Sequence, residues 1–436
     1  MAQAILAPGP EERYDLDAND ESLPVLQALI RQYGNTCRVP SRTRTGDGLL
    51  IQDPDDIRRV LLTNRTNYVK GAGLERVRVL LGNGLIVSDG DLWARQRRLI
   101  QPAFLGSANR GFAPLVERVN AGLVGRWAAH ADTGETIDIT HELSSVALDI
   151  VLRALFSTDF DRLIAAEGAS PFDLLTEESK RDRQFAARFR ALTRFVRAII
   201  EARRQESRVE SDWLSMMMQA RDKESGEPMP DRALVDEVMT LIVAGHETTA
   251  STLNWTWYLL SQHPEAEAAL HDAIADAASA PAEDDAAPDA PSAAAGYVEQ
   301  VLQEALRLYP PVWLFSRRAI EDDTLGGHHV AAGTDIFICP YLLHRGEHWE
   351  RPDDFLPERF TPEAAAGRHR FAFLPFSAGP RFCIGAGFAM AEMATHLSMV
   401  AARFRLQYVG PVPAEAEFQI NLRTRHPIMM RLLTRQ

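Results

Sequence analysis

The sequence predicts a mainly α-helical chain with small β-sheets, organised as a single domain over residues 1–436. Three observations predict it. Apolar residues recur at helical spacing through Leu115 to Trp127, Ile137 to Phe156 and Phe185 to Ile200, so Gly111 to Ala220 reads as helical throughout. Asp231 to Gln262, stopped by Pro264, reads as one helix of ~48 Å at 1.5 Å per residue, enough to cross a domain. Strand signals are few, short and bounded by glycine turns.

The first helix is Leu23 to Tyr33, opening at Pro24. Gly46-Asp-Gly48 turns one strand, Cys37 to Pro40, onto the next, Gly48 to Gln52, and Pro54 to Leu62 gives another short helix. Asn64 to Gly90, with five glycines and little periodicity, reads as a long loop. Asp91 to Gln101, stopped by Pro102, is a helix with Trp93 and Arg97 on one face. Taken alone, that pair reads as a core-anchored indole beside a solvated guanidinium. Thr158 to Arg183 breaks the helical pattern with Gly168, Pro171 and mixed charge, while Met216 to Met218 reads as adaptable packing. Pro264 to Ala275 continues as helix. Residues 278–296 are Ala/Pro/Asp-rich without periodicity and read as a loose surface insertion; residues 1–20 read as a flexible N-terminus.

Tyr297 to Tyr309 forms the next helix, ended by Pro310-Pro311, and sets Glu304 and Arg307 one turn apart. Pro311 to Phe315 leaves it extended. Strands Ala319 to Leu325 and His328 to Cys339 follow, and Phe355 to Phe360 and Arg370 to Pro375 meander towards a last helix, Ala386 to Phe404. Ile428 to Leu433 closes as a terminal strand.

The most informative stretch lies just before that last helix: Phe376-Ser-Ala-Gly379-Pro-Arg381-Phe-Cys383-Ile-Gly385. It delivers one cysteine to a helix start, where outward N–H groups and the helix dipole favour a thiolate, and a thiolate binds metal. Gly379 and Gly385 let the backbone pass close to something flat, and Arg381 offers a forked donor to a carboxylate. Together these needs describe haem; the plain alternative is a buried core cysteine. In the middle of the long helix, Ala244-Gly-His-Glu-Thr-Thr249 interrupts good helix formers. The Thr248 hydroxyl can bond the Ala244 carbonyl, and Gly245 leaves a notch beside the backbone that a diatomic ligand could occupy. His246 reads as a packing residue.

Through these motifs the chain resembles the cytochrome P-450 family of haem-thiolate monooxygenases over nearly its whole length. Phe376 to Gly385 fits the family's haem signature, Glu304-Ala-Leu-Arg307 its Glu-x-x-Arg pair, and Ala244-Gly-His-Glu-Thr248 its oxygen-activation motif. Pro357-Glu-Arg359-Phe360 and Trp93-Ala-Arg-Gln-Arg97 fit two more. The resemblance implies the P-450 fold, with haem b between the long helix and the cysteine helix and Cys383 as iron ligand. It further implies Trp93, Arg97, Arg317 and Arg381 on the propionates, with Arg318 as the alternative to Arg317, and Phe376, Ala244 and Gly245 against the cofactor. Glu247 and Thr248 would deliver protons to bound oxygen, and their presence favours the O2 route over a peroxide route. Arg359 would join Glu304 and Arg307 in a structural triad. Val243, Ala244, Val312, Trp313, Leu314, Val87 and Leu422 are candidates for the substrate pocket; so are Tyr68, Leu74, Val77, Leu85 and Ile86, for which plain surface loop is an equal reading. In the family, Thr158 to Arg183 would be a mobile lid connection.

The remaining bounds concern partners and place. With 60 acidic against 47 basic residues and a net charge of −13, nucleic acid is an improbable partner. Cys37, Cys339 and Cys383 are too few and too scattered for a disulfide framework, which suits a reducing compartment, and Cys37 and Cys339 read as inert. No signal peptide or membrane anchor is visible at the N-terminus. The expectation is a cytoplasmic monomer that oxidises a small apolar lipid, terpenoid or polyketide-like molecule. Its electrons would come from NAD(P)H through a separate ferredoxin or flavodoxin and its reductase. Arg95 and Arg98, with Arg368, His369 and Arg370, would form a basic docking face. Alternatives are a haem-thiolate isomerase, dehydratase or peroxygenase, a haem-based sensor, or a haem-free helical protein.

Overall fold

Asp231–Gln262 forms one helix of 32 residues, with the bounds that its sequence predicts. It belongs to a computed structural model that describes residues 5–44, 46–176, 183–279 and 293–435. Residues 280–292 of the expected insertion, 177–182 of the expected lid connection and 1–4 of the N-terminus lie outside the described residues. The chain is mainly helical with small sheets and divides into two compact units. The first comprises Met1–Leu74, Trp255–Cys383 and Pro411–His426; the second comprises Glu75–Asn254, Ile384–Gly410 and Pro427–Gln436.

The first unit is built on a five-stranded sheet in the order Thr36–Val39, Gly48–Ile51, Asp335–Ile338, Phe315–Ala319, Tyr68–Lys70. Gly48–Ile51 and Asp335–Ile338 pair in parallel and every residue of both is buried, as expected for strands covered on both faces. The edge strand Tyr68–Lys70 corrects the sequence reading, which has a loop here. Its partner is Phe315–Ala319, some 250 residues along the chain, so no local signal announces it. Tyr68 is a core residue rather than a ligand contact: its ring is buried and its hydroxyl donates to Asp323 Oδ2 at 2.6 Å. The next strands form a hairpin, Asp323–Leu325 with His328–Val330, instead of one long strand from Ala319.

The second unit holds most of the helices. The other half of the expected loop contains the helix Glu75–Leu81, and Thr158–Glu167 is helical until Gly168 caps it in the left-handed region, so only part of Thr158 to Arg183 breaks the pattern. The last helix, Ala386–Ala401, ends three residues before its predicted stop and passes into the strand Phe404–Tyr408. That strand lies in a three-stranded sheet with Met429–Thr434 and Thr136–Asp138. Phe388, near the start of the helix, packs edge-on against Trp213 at 4.7 Å and Phe112 at 6.0 Å. Each such buried ring is worth roughly 1.5–3 kcal/mol of apolar burial, which fixes the helix that follows the cysteine.

Candidate active site

In the first unit, the loop ahead of the last helix is folded back on itself. Gly379–Arg381 makes one 3-10 turn, and the Cys383 N–H donates to the Phe376 carbonyl at 3.0 Å, so the signature's first and eighth residues are joined directly. Gly379 is required by the protein's own backbone as well. Its φ is +66°, and a Cβ there would overlap the Leu61 carbonyl oxygen. At Gly385 a Cβ would meet no protein atom within 4 Å. Cys383 is exposed, whereas Cys37 and Cys339 are buried, and burial pushes their thiols up to about 11 and about 12. Cys383 is therefore the cysteine placed for chemistry.

Behind this loop, Glu304 and Arg307 are both fully buried. Arg307 donates through Nε and Nη2 to the two carboxylate oxygens at 2.7 and 2.8 Å. Arg359 Nε and the Leu356 N–H also reach Glu304 Oε1, at 3.2 and 2.9 Å. Arg307 then ties down three carbonyls, of His344, Pro352 and Asp354, so one buried ion pair organises the whole approach to the cysteine loop. Sequence reasoning missed His344. Its Nε2 accepts from the Leu374 N–H at 2.8 Å while Nδ1 faces the Arg307 carbonyl at 3.2 Å. Burial, reinforced by the nearby Arg307 charge, lowers its pKa to about 3, so the ring is neutral and can accept and donate at once. No motif offset marks it; its place is set by the triad.

In the second unit, the long helix sorts its motif by face. Thr248 Oγ1 donates to the Ala244 carbonyl at 2.8 Å, as its sequence predicts, and Thr252 repeats the bond one turn on. Val243, Ala244, Glu247 and Thr248 are half-buried, whereas His246 and Thr249 are buried on the opposite side. His246 Nε2 lies 2.8 Å from Ser144 Oγ. At Gly245, itself half-buried, a Cβ would sit 2.9 Å from Val151 Cγ2. The glycine is thus small to let the Ile139–Phe156 helix approach, a packing reason that stands beside the expected notch.

Trp93 and Arg97 are half-buried, one turn apart on the helix Gly90–Ile100. Arg95 and Arg98, expected on a docking face, are both engaged with acidic neighbours. Arg98 grips Asp222 at 3.0 and 3.3 Å and Glu224 at 2.8 Å, and Arg95 lies 3.7 Å from Asp222 and donates to the Pro228 carbonyl. In the first unit Arg368 is likewise engaged, stacked 4.1 Å over Trp349 and bonded to the Arg359 carbonyl. Strand alternation separates Arg317 from Arg318: Arg318 is committed to Asp335 at 3.0 and 2.9 Å, and Arg317, on the other face, is buried.

Of the pocket candidates, Val87, Trp313 and Leu422 are wholly buried and present no surface for a ligand. The Trp313 indole donates to the Gln419 carbonyl at 2.7 Å and packs on Phe418. Val312 is exposed, and Val243, Ala244 and Leu314 keep part of their surface.

Whether these residues suit a haem can be judged from their donors. Among the described residues no three His, Cys, Asp or Glu side chains gather to hold an ion, so a metal at Cys383 must bring its other ligands with it. An iron porphyrin does so, and its carboxylates match the guanidinium groups of Arg317 and Arg381 in the same unit. The donor set fits.

A family model described as cytochrome P450 matches residues 15–430. Cyclooctatin synthase of Streptomyces melanosporofaciens is 36% identical over 378 residues, 83% of this chain and 80% of that protein. Cyclooctat-9-en-7-ol 5-monooxygenase of the same organism is 34% identical over 380 residues, with the same coverage of both chains. The crystal structure of the cytochrome P450DA heme domain superposes with a TM-score of 0.82 at 25% identity, covering 99% of this chain and 98% of that one. The exposed cysteine in its signature loop, the buried Glu304–Arg307 pair and these matches lead to one conclusion: the chain belongs to the cytochrome P450 family and is a P450 monooxygenase.

Proposed function

We propose that this chain holds haem b through the Cys383 thiolate and inserts one atom of O2 into a small apolar molecule by hydroxylation or epoxidation. Trp93, Arg97, Arg317 and Arg381 bind the propionates. Bound haem supplies the iron at which O2 is activated with electrons from outside the chain. Those electrons come from NAD(P)H through a separate ferredoxin or flavodoxin and its reductase. Residues 1–436 act as one catalytic domain, a reading supported by the family match over 15–430. The enzyme works as a monomer in the cytoplasm; no helix among the described residues is long and apolar enough to cross a membrane.

The observation that carries this reading is the face-sorting of the long helix. Packing takes His246 and Thr249 into the core, and this leaves Glu247 and Thr248 on the half-buried face with Ala244 and Gly245. The Thr248 hydroxyl, whose proton rests on the Ala244 carbonyl, would turn to donate that proton and take its replacement from the Glu247 carboxyl. Val243, Ala244, Val312 and Leu314 give the substrate apolar contact. Lipid, terpenoid and polyketide-like molecules all suit such surfaces, and the relative named for an alkenol favours a terpenoid-like alcohol as substrate.

The test is turnover of a panel of fatty acids, terpenoid alcohols and macrolactones with a ferredoxin, its reductase, NADPH and isotopically labelled O2. One labelled oxygen per product is expected. A reduced CO complex with the red-shifted Soret band of thiolate ligation is expected in the wild type and absent from Cys383→Ser. Product formed without external reductant would replace this reading with an isomerase or dehydratase. Product formed from peroxide alone would indicate a peroxygenase, and binding without turnover a sensor.

A further inference from the structure

Residues 83–88 are laid along the first half of the Asp231–Gln262 helix by bonds that neither the propionate set nor the proton-relay pair uses. Asp236 accepts from the Asn83 N–H at 3.0 Å and Glu237 from the Leu85 N–H at 2.9 Å. Gln96 donates to the Asn83 carbonyl at 3.1 Å, and Arg78 to the Val87 carbonyl at 2.8 Å. At Gly84 a Cβ would overlap the Thr240 hydroxyl oxygen, so segment and helix touch backbone to side chain. Glu237 is fully buried, and its second carboxylate oxygen has no hydrogen-bond partner, nor has Thr240 Oγ1. A buried carboxyl with half its capacity unused is costly, more than the net worth of one bond to Leu85.

We propose that Glu237 is a positioning residue for substrate selection: it latches residues 83–88, and with them the half-buried side chains of Leu85 and Ile86, onto the helix two turns before Ala244. The selecting role rests on the proposed monooxygenation of an apolar substrate; the latch itself does not. Its protonation follows from its surroundings. Burial pushes the carboxyl up to about 8, opposed by the Leu85 N–H and aided by Asp236 on the same helix. Residues 82–88 carry no charge; Gln96 is neutral, and Arg78 is engaged at Val87. Once the segment is released, the Glu237 carboxyl is hydrated and returns to about 4.3, so closure is strongest at low pH. It weakens by up to about tenfold per pH unit as pH rises towards 8 and changes little above.

Hydrogen exchange of the Leu85 amide in haem-loaded protein, with loading checked by the reduced CO band, tests the latch. In Glu237→Leu the amide should exchange at least about tenfold faster than in wild type, the loss expected of one buried bond. In Glu237→Gln, which keeps an acceptor but cannot ionise, the ratio of wild-type to variant exchange should climb with pH up to about 8 and then level. Unchanged exchange in Glu237→Leu, or a flat ratio from about pH 6 to 9, overturns the latch; if Glu237→Leu does not load haem, the Glu237→Gln series decides alone. For selection, Glu237→Leu should shift KM for panel substrates about tenfold while kcat stays within about twofold, and a fall in kcat at unchanged KM overturns that role. Absence of turnover in every variant would count against the proposed function and leave the exchange result standing.

Discussion

Glu304 meets Arg307 with both carboxylate oxygens, at 2.7 and 2.8 Å, and neither side chain reaches solvent. Removing one partner leaves the other charged in the interior, which typically costs about 3–5 kcal/mol. Because Arg307 and Arg359 spread that pair over the backbone of residues 344–356, the damage should reach the cysteine loop. Glu304→Gln is expected to purify largely without haem. Pyridine haemochrome content measures this, and a variant with full haem and altered turnover would refute the structural role.

His344 should make stability acid-sensitive. Its folded pKa, about 3, lies below the ordinary value near 6.5. The unfolded chain therefore gains a proton first as pH falls, and the native state loses about 1.4 kcal/mol per pH unit between about 6.5 and 3 from this group. At higher pH the contribution is complete. His344→Gln should unfold at lower denaturant concentration at pH 7, by about 1–3 kcal/mol, and show a shallower acid limb. Urea melts at a series of pH values check both; equal slopes for the two proteins would contradict the assignment.

Thr248→Val keeps the volume of the side chain and removes the hydroxyl that donates to Ala244. The helix is expected to hold, with melting temperature within a few degrees, while product per NADPH falls by about tenfold or more and peroxide appears instead. Glu247→Gln should slow turnover without that leak. Full coupling in Thr248→Val would remove the hydroxyl from the relay.

Gly245→Ala should destabilise by about 1–3 kcal/mol through contact with Val151. Val151→Ala in the same chain should restore much of the loss. If Gly245→Ala instead altered O2 binding with unchanged stability, the glycine would serve an open notch rather than this packing.

The sequence carried the long helix to the residue because its stop, Pro264, is written in the chain, and Thr248 could be assigned its bond because the acceptor lies four residues away. Short strands were legible only when both partners were near: Thr36–Val39 with Gly48–Ile51 was visible, Tyr68–Lys70 was not. The glycines show the same limit. Gly379 and Gly245 were rightly singled out, yet the atoms that require them, the Leu61 carbonyl and Val151, belong to segments remote in sequence. Arg95 and Arg98 looked like free charge because their partners, Asp222 and Glu224, lie about 125 residues on.

The burial of two of the three thiols also has an analytical use. At neutral pH only about one in 10⁴ molecules or fewer would carry Cys37 or Cys339 in the nucleophilic form, and both are shut away from reagents. A maleimide added to the cofactor-free polypeptide should consequently couple once, at the exposed sulfur of Cys383, and mass spectrometry of the labelled chain would measure the unloaded fraction.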